Sequence, residues 1–285
     1  MPEPTSAAAE ASAPAMTGSV PKLEIRDLYI SYTDRRGNTV QAVQGADLSV
    51  SNKPGKGELA VFLGPSGCGK STILKAVAGL LQPDAGQVLI DGQVVTGTGR
   101  DRGMVFQSYT SFAWRTVRKN VEYGLELHGI PPAQRKKQAM EIIAQVGLKD
   151  FADALPKQLS GGMKQRVAIA RTIVNKPKLV LMDEPFGALD PQTRWGMQGL
   201  ILDVLHKEDN TVLFVTHDIS EAVFLADVVF VLSSRPAKVL HRIEVPTFED
   251  RSPALKQSAE FKRVENHLLD LLHSLDVHGN LRMGL

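Results

Sequence analysis

From residue 22 onward the chain settles into short, regular apolar patterns. Residues 23–32 alternate apolar and polar positions as a half-buried strand does. Residues 40–50 repeat that alternation after a polar turn at 34–38. A second turn is expected at 51–57 (SNKPGKG), and residues 58–63 form a short apolar strand that runs straight into a glycine-rich loop. Residues 70–81 then carry Ile73, Leu74, Val77 and Leu80 at helical spacing, and strands are expected at 87–90 and 103–106.

The strand signal disappears between Thr116 and Lys157. Residues 117–128 and 133–146 are helical in pattern, with Pro131 and Pro132 where a new helix would begin. This predicts a helical insertion over roughly 110–160. Beyond it, helices at 162–174, 191–207 and 219–226 alternate with strands at 178–182, 211–215 and 228–232. Such alternation predicts a largely parallel sheet covered on both faces. In the tail, residues 253–275 place Leu255, Val264, Leu268, Leu271 and Leu272 on one face of an amphipathic helix, which is expected to pack back on the domain.

Composition narrows the field. Among 285 residues, 43% are hydrophobic and 22% charged, as in a globular domain with a sizeable core. The 33 Lys and Arg nearly balance 31 Asp and Glu, so composition does not point to a nucleic-acid binder. Cys68 is the single cysteine, which excludes an internal disulfide and fits a reducing compartment. Apolar runs are of buried-strand length, so any membrane role is expected to be peripheral. Residues 1–21, rich in Ala, Pro and Ser, are expected to form a disordered tail; they have neither the basic nor the apolar stretch of a secretory signal.

The chemistry begins at Gly64-Pro65-Ser66-Gly67-Cys68-Gly69-Lys70-Ser71-Thr72, which fits G-x-x-x-x-G-K-[ST] between a strand and a helix. Glycines let backbone N–H groups converge on phosphate oxygens, and the helix points its positive end at the same anion. Lys70 is placed to reach the β- and γ-phosphates, and the Ser71 hydroxyl to ligate Mg²⁺. A second apolar strand ends in Asp183-Glu184. Acids at strand carboxyl ends meet ligand in a parallel sheet, so Asp183 is a candidate metal ligand and Glu184 a candidate base for the attacking water. Leu159-Ser160-Gly161-Gly162-Met163-Lys164-Gln165-Arg166 opens a helix with an outward Ser-Gly-Gly turn, physically a second anion site.

LSGGMKQR resembles the signature sequence of the ABC-type ATPases, and the family's other motifs follow in order over residues 22 to about 240. The resemblance implies an α/β fold: a P-loop NTPase domain with a mostly parallel core sheet, an antiparallel β subdomain and a helical signature subdomain. It implies that Gln107 senses Mg²⁺ and the attacking water, that Asp190 in Gly187-Ala188-Leu189-Asp190 communicates between paired subunits, and that His217 contacts the γ-phosphate. Tyr32 matches the aromatic that stacks on adenine. Ser160, Gly161 and Gly162 would cap ATP bound by a second subunit, either another copy or a paralogous ATPase.

On this resemblance the ATPase domain covers 22–240, with a C-terminal helical tail at 241–285. The segment Tyr109 to Val117 would receive a short helix of a transmembrane permease, whose complex also includes an extracytoplasmic solute-binding protein. That places the chain on the cytoplasmic face of the membrane. Residues 112–129 and the short tail look most like importers of the nitrate, sulfonate and taurine group, although Ala113 departs from the proline expected there. The competing class is a non-transport ABC ATPase acting on nucleic acid or ribosomes. Such proteins typically carry two ATPase domains or a long coiled-coil insertion; neither is visible in the sequence, and the basic patch at Arg135-Lys136-Lys137 is small.

Overall fold

The computed structural model describes residues 20–51, 57–108, 110–207, 210–248 and 251–279. The tail expected over 1–21 (except its last two residues), most of the turn expected at 51–57, and Tyr109 therefore lie outside the described residues.

Strands β1 (Leu23–Thr33) and β2 (Thr39–Val50) pair antiparallel, and β4 (Ala85–Ile90) and β5 (Gln93–Val94) extend them into a four-stranded sheet in the order β2-β1-β4-β5. The core sheet runs β10 (Val239–Glu244), β9 (Val228–Leu232), β3 (Leu59–Leu63), β8 (Thr211–Thr216), β7 (Leu179–Asp183) and β6 (Arg102–Val105). Every pair in it is parallel except the edge pair of β9 and β10.

The continuous apolar reading of the central strands has a direct cause: both faces are covered. Leu59, Val61 and Leu63 of β3 enter one core cluster, whereas Ala60 and Phe62 enter the other. The first cluster takes side chains from α2 (Val117–Leu127), α3 (Pro132–Gln145), α4 (Gly161–Ile173), α5 (Pro191–Lys207), α6 (Ile219–Leu225) and α7 (Ala259–Gly279). The second joins α1 (Lys70–Val77) and the antiparallel sheet.

Three expectations are corrected. The helix expected over 70–81 stops at Val77. Gly79, at φ +73°, donates to Ala76 O and Leu80 donates to Lys75 O, a Schellman ending that leaves Leu80 half exposed rather than on the buried face. The tail is not one helix from 253 to 275: Pro253–Gln257 form a 3-10 turn, and Ser258 caps α7 by accepting from the Phe261 N–H at 3.2 Å. Val264 and Leu268 are buried on the domain, as the apolar face predicts. Strand β10 spans the 240/241 boundary; its charged residues and half-exposed position concealed it in the sequence.

Candidate functional site

Because β3, β6, β7 and β8 are parallel, their carboxyl ends share one edge of the sheet. Gly64 follows Leu63, Gln107 lies just past Val105, Glu184 follows Asp183 and His217 follows Thr216. Residues scattered over 150 positions of sequence therefore meet by topology.

At the phosphate loop, Lys70 is 4% exposed and its Nζ donates to Gly64 O and Pro65 O at 2.8 Å each. The ammonium thus sits within the loop, held by two neutral acceptors. Gly69 takes φ +125°, and a Cβ there would lie 2.6 Å from Ala42 O, so only glycine lets α1 start at this point. Cys68 is buried, and burial pushes its thiol up, away from the thiolate that redox chemistry needs. It fills space beside Gly64. Tyr32 is 43% exposed and its hydroxyl donates to Thr72 Oγ1 at 3.2 Å, which leaves an aromatic face open beside the loop.

Ser71 Oγ donates to Asp183 Oδ1 at 2.7 Å, closing a gap of 112 positions in sequence. Burial, opposed by that hydrogen bond and reinforced by Glu184, holds the Asp183 carboxyl above the usual carboxylate range. Two hard oxygen donors at hydrogen-bond separation, one a largely buried carboxylate, fit a small divalent cation.

Glu184 stands at φ +42°, a region that non-glycine residues seldom occupy, and its N–H donates to Val215 O at 3.1 Å. The kink brings its carboxylate between two of the predicted partners. Gln107 Nε2 donates to Oε2 at 3.4 Å, and His217 Nδ1 lies 3.3 Å from Oε1.

A buried network behind His217 was not foreseen. Thr216 Oγ1 donates to Glu221 Oε2 at 2.7 Å, and Gln198 Nε2 donates to Glu221 Oε1 at 3.3 Å. Arg194 lies 3.6 Å from Asp218 and 3.8 Å from Glu221. Burial raises the Glu221 pKa. The available signal was Asp218-Ile219-Ser220-Glu221, a helix-start pattern that the structure realises through Asp218 accepting from the Glu221 N–H at 3.0 Å.

The signature residues stand apart. Ser160 caps α4 by accepting from the Met163 N–H at 3.3 Å and is exposed. Gly161 begins the helix, and Gly162 packs so closely on the Thr193 methyl that a Cβ would collide with it. Thr193 in turn donates its N–H to Asp190 Oδ1 at 3.0 Å, and these hydrogen bonds hold the Asp190 carboxyl below its ordinary range. Among the described residues, no hydrogen bond or ion pair joins 160–162 to the phosphate loop of the same chain.

Comparison with known proteins gives the family. The model of the ABC transporter family matches residues 48–187. The chain is 44% identical over 256 residues to the nitrate import ATP-binding protein of Synechocystis, covering 88% of this chain and 94% of that one. It is 40% identical over 259 residues to the taurine import ATP-binding protein of Rhizobium johnstonii, covering 89% and 97%. Among solved structures it resembles a dimeric post-hydrolysis ATP-binding cassette bound to ADP and Pi, with TM-score 0.68 and 31% identity over 79% of this chain and 100% of that one. The chain belongs to the ABC transporter ATP-binding proteins.

It is thus an ABC ATPase, and its sheet pair and helical subdomain are the cassette fold of that family. Just past Gln107 this ABC ATPase presents an aromatic segment to solvent. The Phe112 ring meets Tyr123 edge-on at 4.7 Å and Trp114 at a tilt at 5.6 Å, while Arg171 lies 5.4 Å over the Phe112 ring and donates to Thr110 O at 2.7 Å. Trp114 is 76% exposed. Phe112, Tyr123 and Arg171 line a cleft of about 430 Å³ that Met104, Phe106 and His128 complete. Among the described residues, no helix is long and apolar enough to cross a membrane.

Proposed function

We propose that this ABC ATPase is the energy-supplying subunit of a membrane importer, and that two copies, or one copy and a paralogue, close around two ATP molecules. The observation that carries the reading is the split between a cluster assembled within one chain (Ser71 with Asp183, and Glu184 between Gln107 and His217) and an exposed Ser160 turn with no tie to that cluster.

In this reading the N–H groups of residues 67–72 and the start of α1 hold the triphosphate, and Lys70 exchanges its two loop carbonyls for the β- and γ-phosphate oxygens. Tyr32 offers its ring to the adenine. Ser71 and Asp183, with Gln107, would hold Mg²⁺, which would supply positive charge to offset that of the phosphates. Glu184 accepts a proton from water as the water oxygen bonds to the γ-phosphorus. The bond from that phosphorus to the bridging oxygen breaks, leaving ADP and inorganic phosphate. His217 contacts the γ-phosphate and reports its loss. Ser160 and Gly161 of the second subunit cap the same phosphate, and Asp190 lies where the subunits meet.

The cleft beside Trp114 adjoins Gln107, so a short permease helix seated there would sense the occupancy of the site. The chain would then lie on the cytoplasmic face of the membrane, with a solute-binding protein on the other side. Kinship with nitrate and taurine import proteins supports as cargo a small solute that bears an anionic oxygen group.

The test is Glu184→Gln in full-length protein with ATP, followed by sedimentation. A dimer with ATP, a monomer without it, and turnover reduced at least about 10²-fold are expected. An ATP-saturated monomer overturns the dimer assignment, and unchanged turnover overturns the base.

A further inference from the structure

The chain beyond the core sheet grips the short helix that follows His217. α6 starts at its cap Asp218 and ends at Leu225. At its far end, Arg251 Nη1 donates to the carbonyls of Phe224 and Leu225 at 2.9 and 2.7 Å, and Nη2 lies 3.9 Å from Asp227 Oδ1. Those carbonyls have no partner within the helix, and a cation there also faces the negative end of the helix dipole. Asp227 accepts the N–H of Leu59 at 2.9 Å, the first residue of the strand that feeds the phosphate loop.

A second hold lies on the flank. The Lys256 ammonium is 4.8 Å from the Trp195 ring and 5.5 Å from the Phe224 ring, which themselves stack at 4.8 Å. Trp195 neighbours Arg194, which faces Asp218 and Glu221 at the front of α6. A third is apolar: Phe261 and Leu268 of α7 are fully buried in the cluster that contains Val223, Phe224 and Leu225. A helix of two turns has little stability of its own, so its position is set by what holds it.

We infer that residues 251–268 act as a clamp that sets the reach of His217, and that Arg251 and Lys256 are positioning residues for ATP hydrolysis. Among the described residues, no hydrogen bond or ion pair joins either to the phosphate loop; both act through α6. The inference rests on His217 meeting the γ-phosphate, as assigned above.

The experiment measures steady-state ATPase, nucleotide affinity and thermal stability for Lys256→Met, Lys256→Arg, Arg251→Ala and Arg251→Lys in the full chain, alone and with His217→Ala. For Lys256→Met and Arg251→Ala, kcat is expected to fall about three- to tenfold with KM for ATP within about twofold. The Arg and Lys replacements, which keep the cation, should recover most of the loss. With His217→Ala already present, Lys256→Met should cost nothing further, since both act through one group. If His217→Ala alone leaves kcat intact, the assignment of His217 has failed. If His217→Ala is slow but Lys256→Met is not, or adds its loss independently, the clamp has failed. Lower stability with normal kcat marks a purely structural role and also overturns it. Should Arg251→Ala not fold, the half-buried Lys256 pair decides.

Discussion

The carboxyl edge of the core sheet and the signature turn carry equally plain motifs, but the fold treats them differently. At the edge, side chains far apart in sequence already touch: Ser71 with Asp183 at 2.7 Å, and Glu184 with Gln107 and His217 at 3.4 and 3.3 Å. At the turn, Ser160 satisfies only its own helix and stays exposed. The carboxyls differ in the same sense. Burial pushes Asp183 up, a state that a cation would relieve, whereas exposed Asp190 is pulled down by its hydrogen bonds to Thr193. A site whose partners lie in the same chain is organised before ligand arrives. In the reading proposed above, the exposed Ser160 turn instead takes its ligand from a second subunit.

That contrast can be broken most forcefully at Lys70. Lys70→Ala should weaken ATP binding by about 10²-fold in an equilibrium titration, since a charge-assisted contact to phosphate is lost. Undiminished affinity would mean that the edge does not bind the nucleotide. Ser160→Arg attacks the other half: turnover should drop about tenfold, while ATP affinity measured on the dilute monomer stays constant. A matching loss of monomer affinity would erase the distinction between the two regions.

Smaller effects sharpen it. Gly162→Ala should lower the melting temperature by about 3 °C because the new methyl collides with Thr193, and adding Thr193→Ser should restore much of this by removing the opposing methyl. Asp183→Asn should do the reverse, raising the melting temperature at pH 8 by about 2 °C while impairing hydrolysis. The sign follows from its raised folded pKa. The folded state holds the proton more tightly than the unfolded chain does, so stability is favoured in acid and lost as pH rises through the raised value. The gain should therefore vanish as pH falls to the ordinary carboxylate range. A gain that grows in acid would contradict the buried-charge account.

Much of this was visible without coordinates. The glycine-rich turn after an apolar strand, the Asp183-Glu184 ending and the Ser160 helix cap are short-range patterns whose chemistry requires particular residues at fixed spacing, and the structure places each on its expected element. Period-two and period-3.6 patterning predicted nearly all the strands and helices, because each element must turn an apolar face to one core or two. The charged, half-exposed β10 and the two-residue β5 escaped, since little burial marks them. So did Thr216, Glu221 and Arg194, ordinary polar residues in sequence that become a network only when α5 and α6 meet behind β8.

What the chain indicated by itself was therefore local: which segments are strands, and which turns and side chains are candidates for holding phosphate and acting on it. Tertiary structure alone decided the left-handed backbone at Glu184, the burial of the Cys68 thiol and the exposure of Trp114. Each of these depends on contacts between residues distant in sequence. Such contacts are set by how the layers pack, and no local pattern records them.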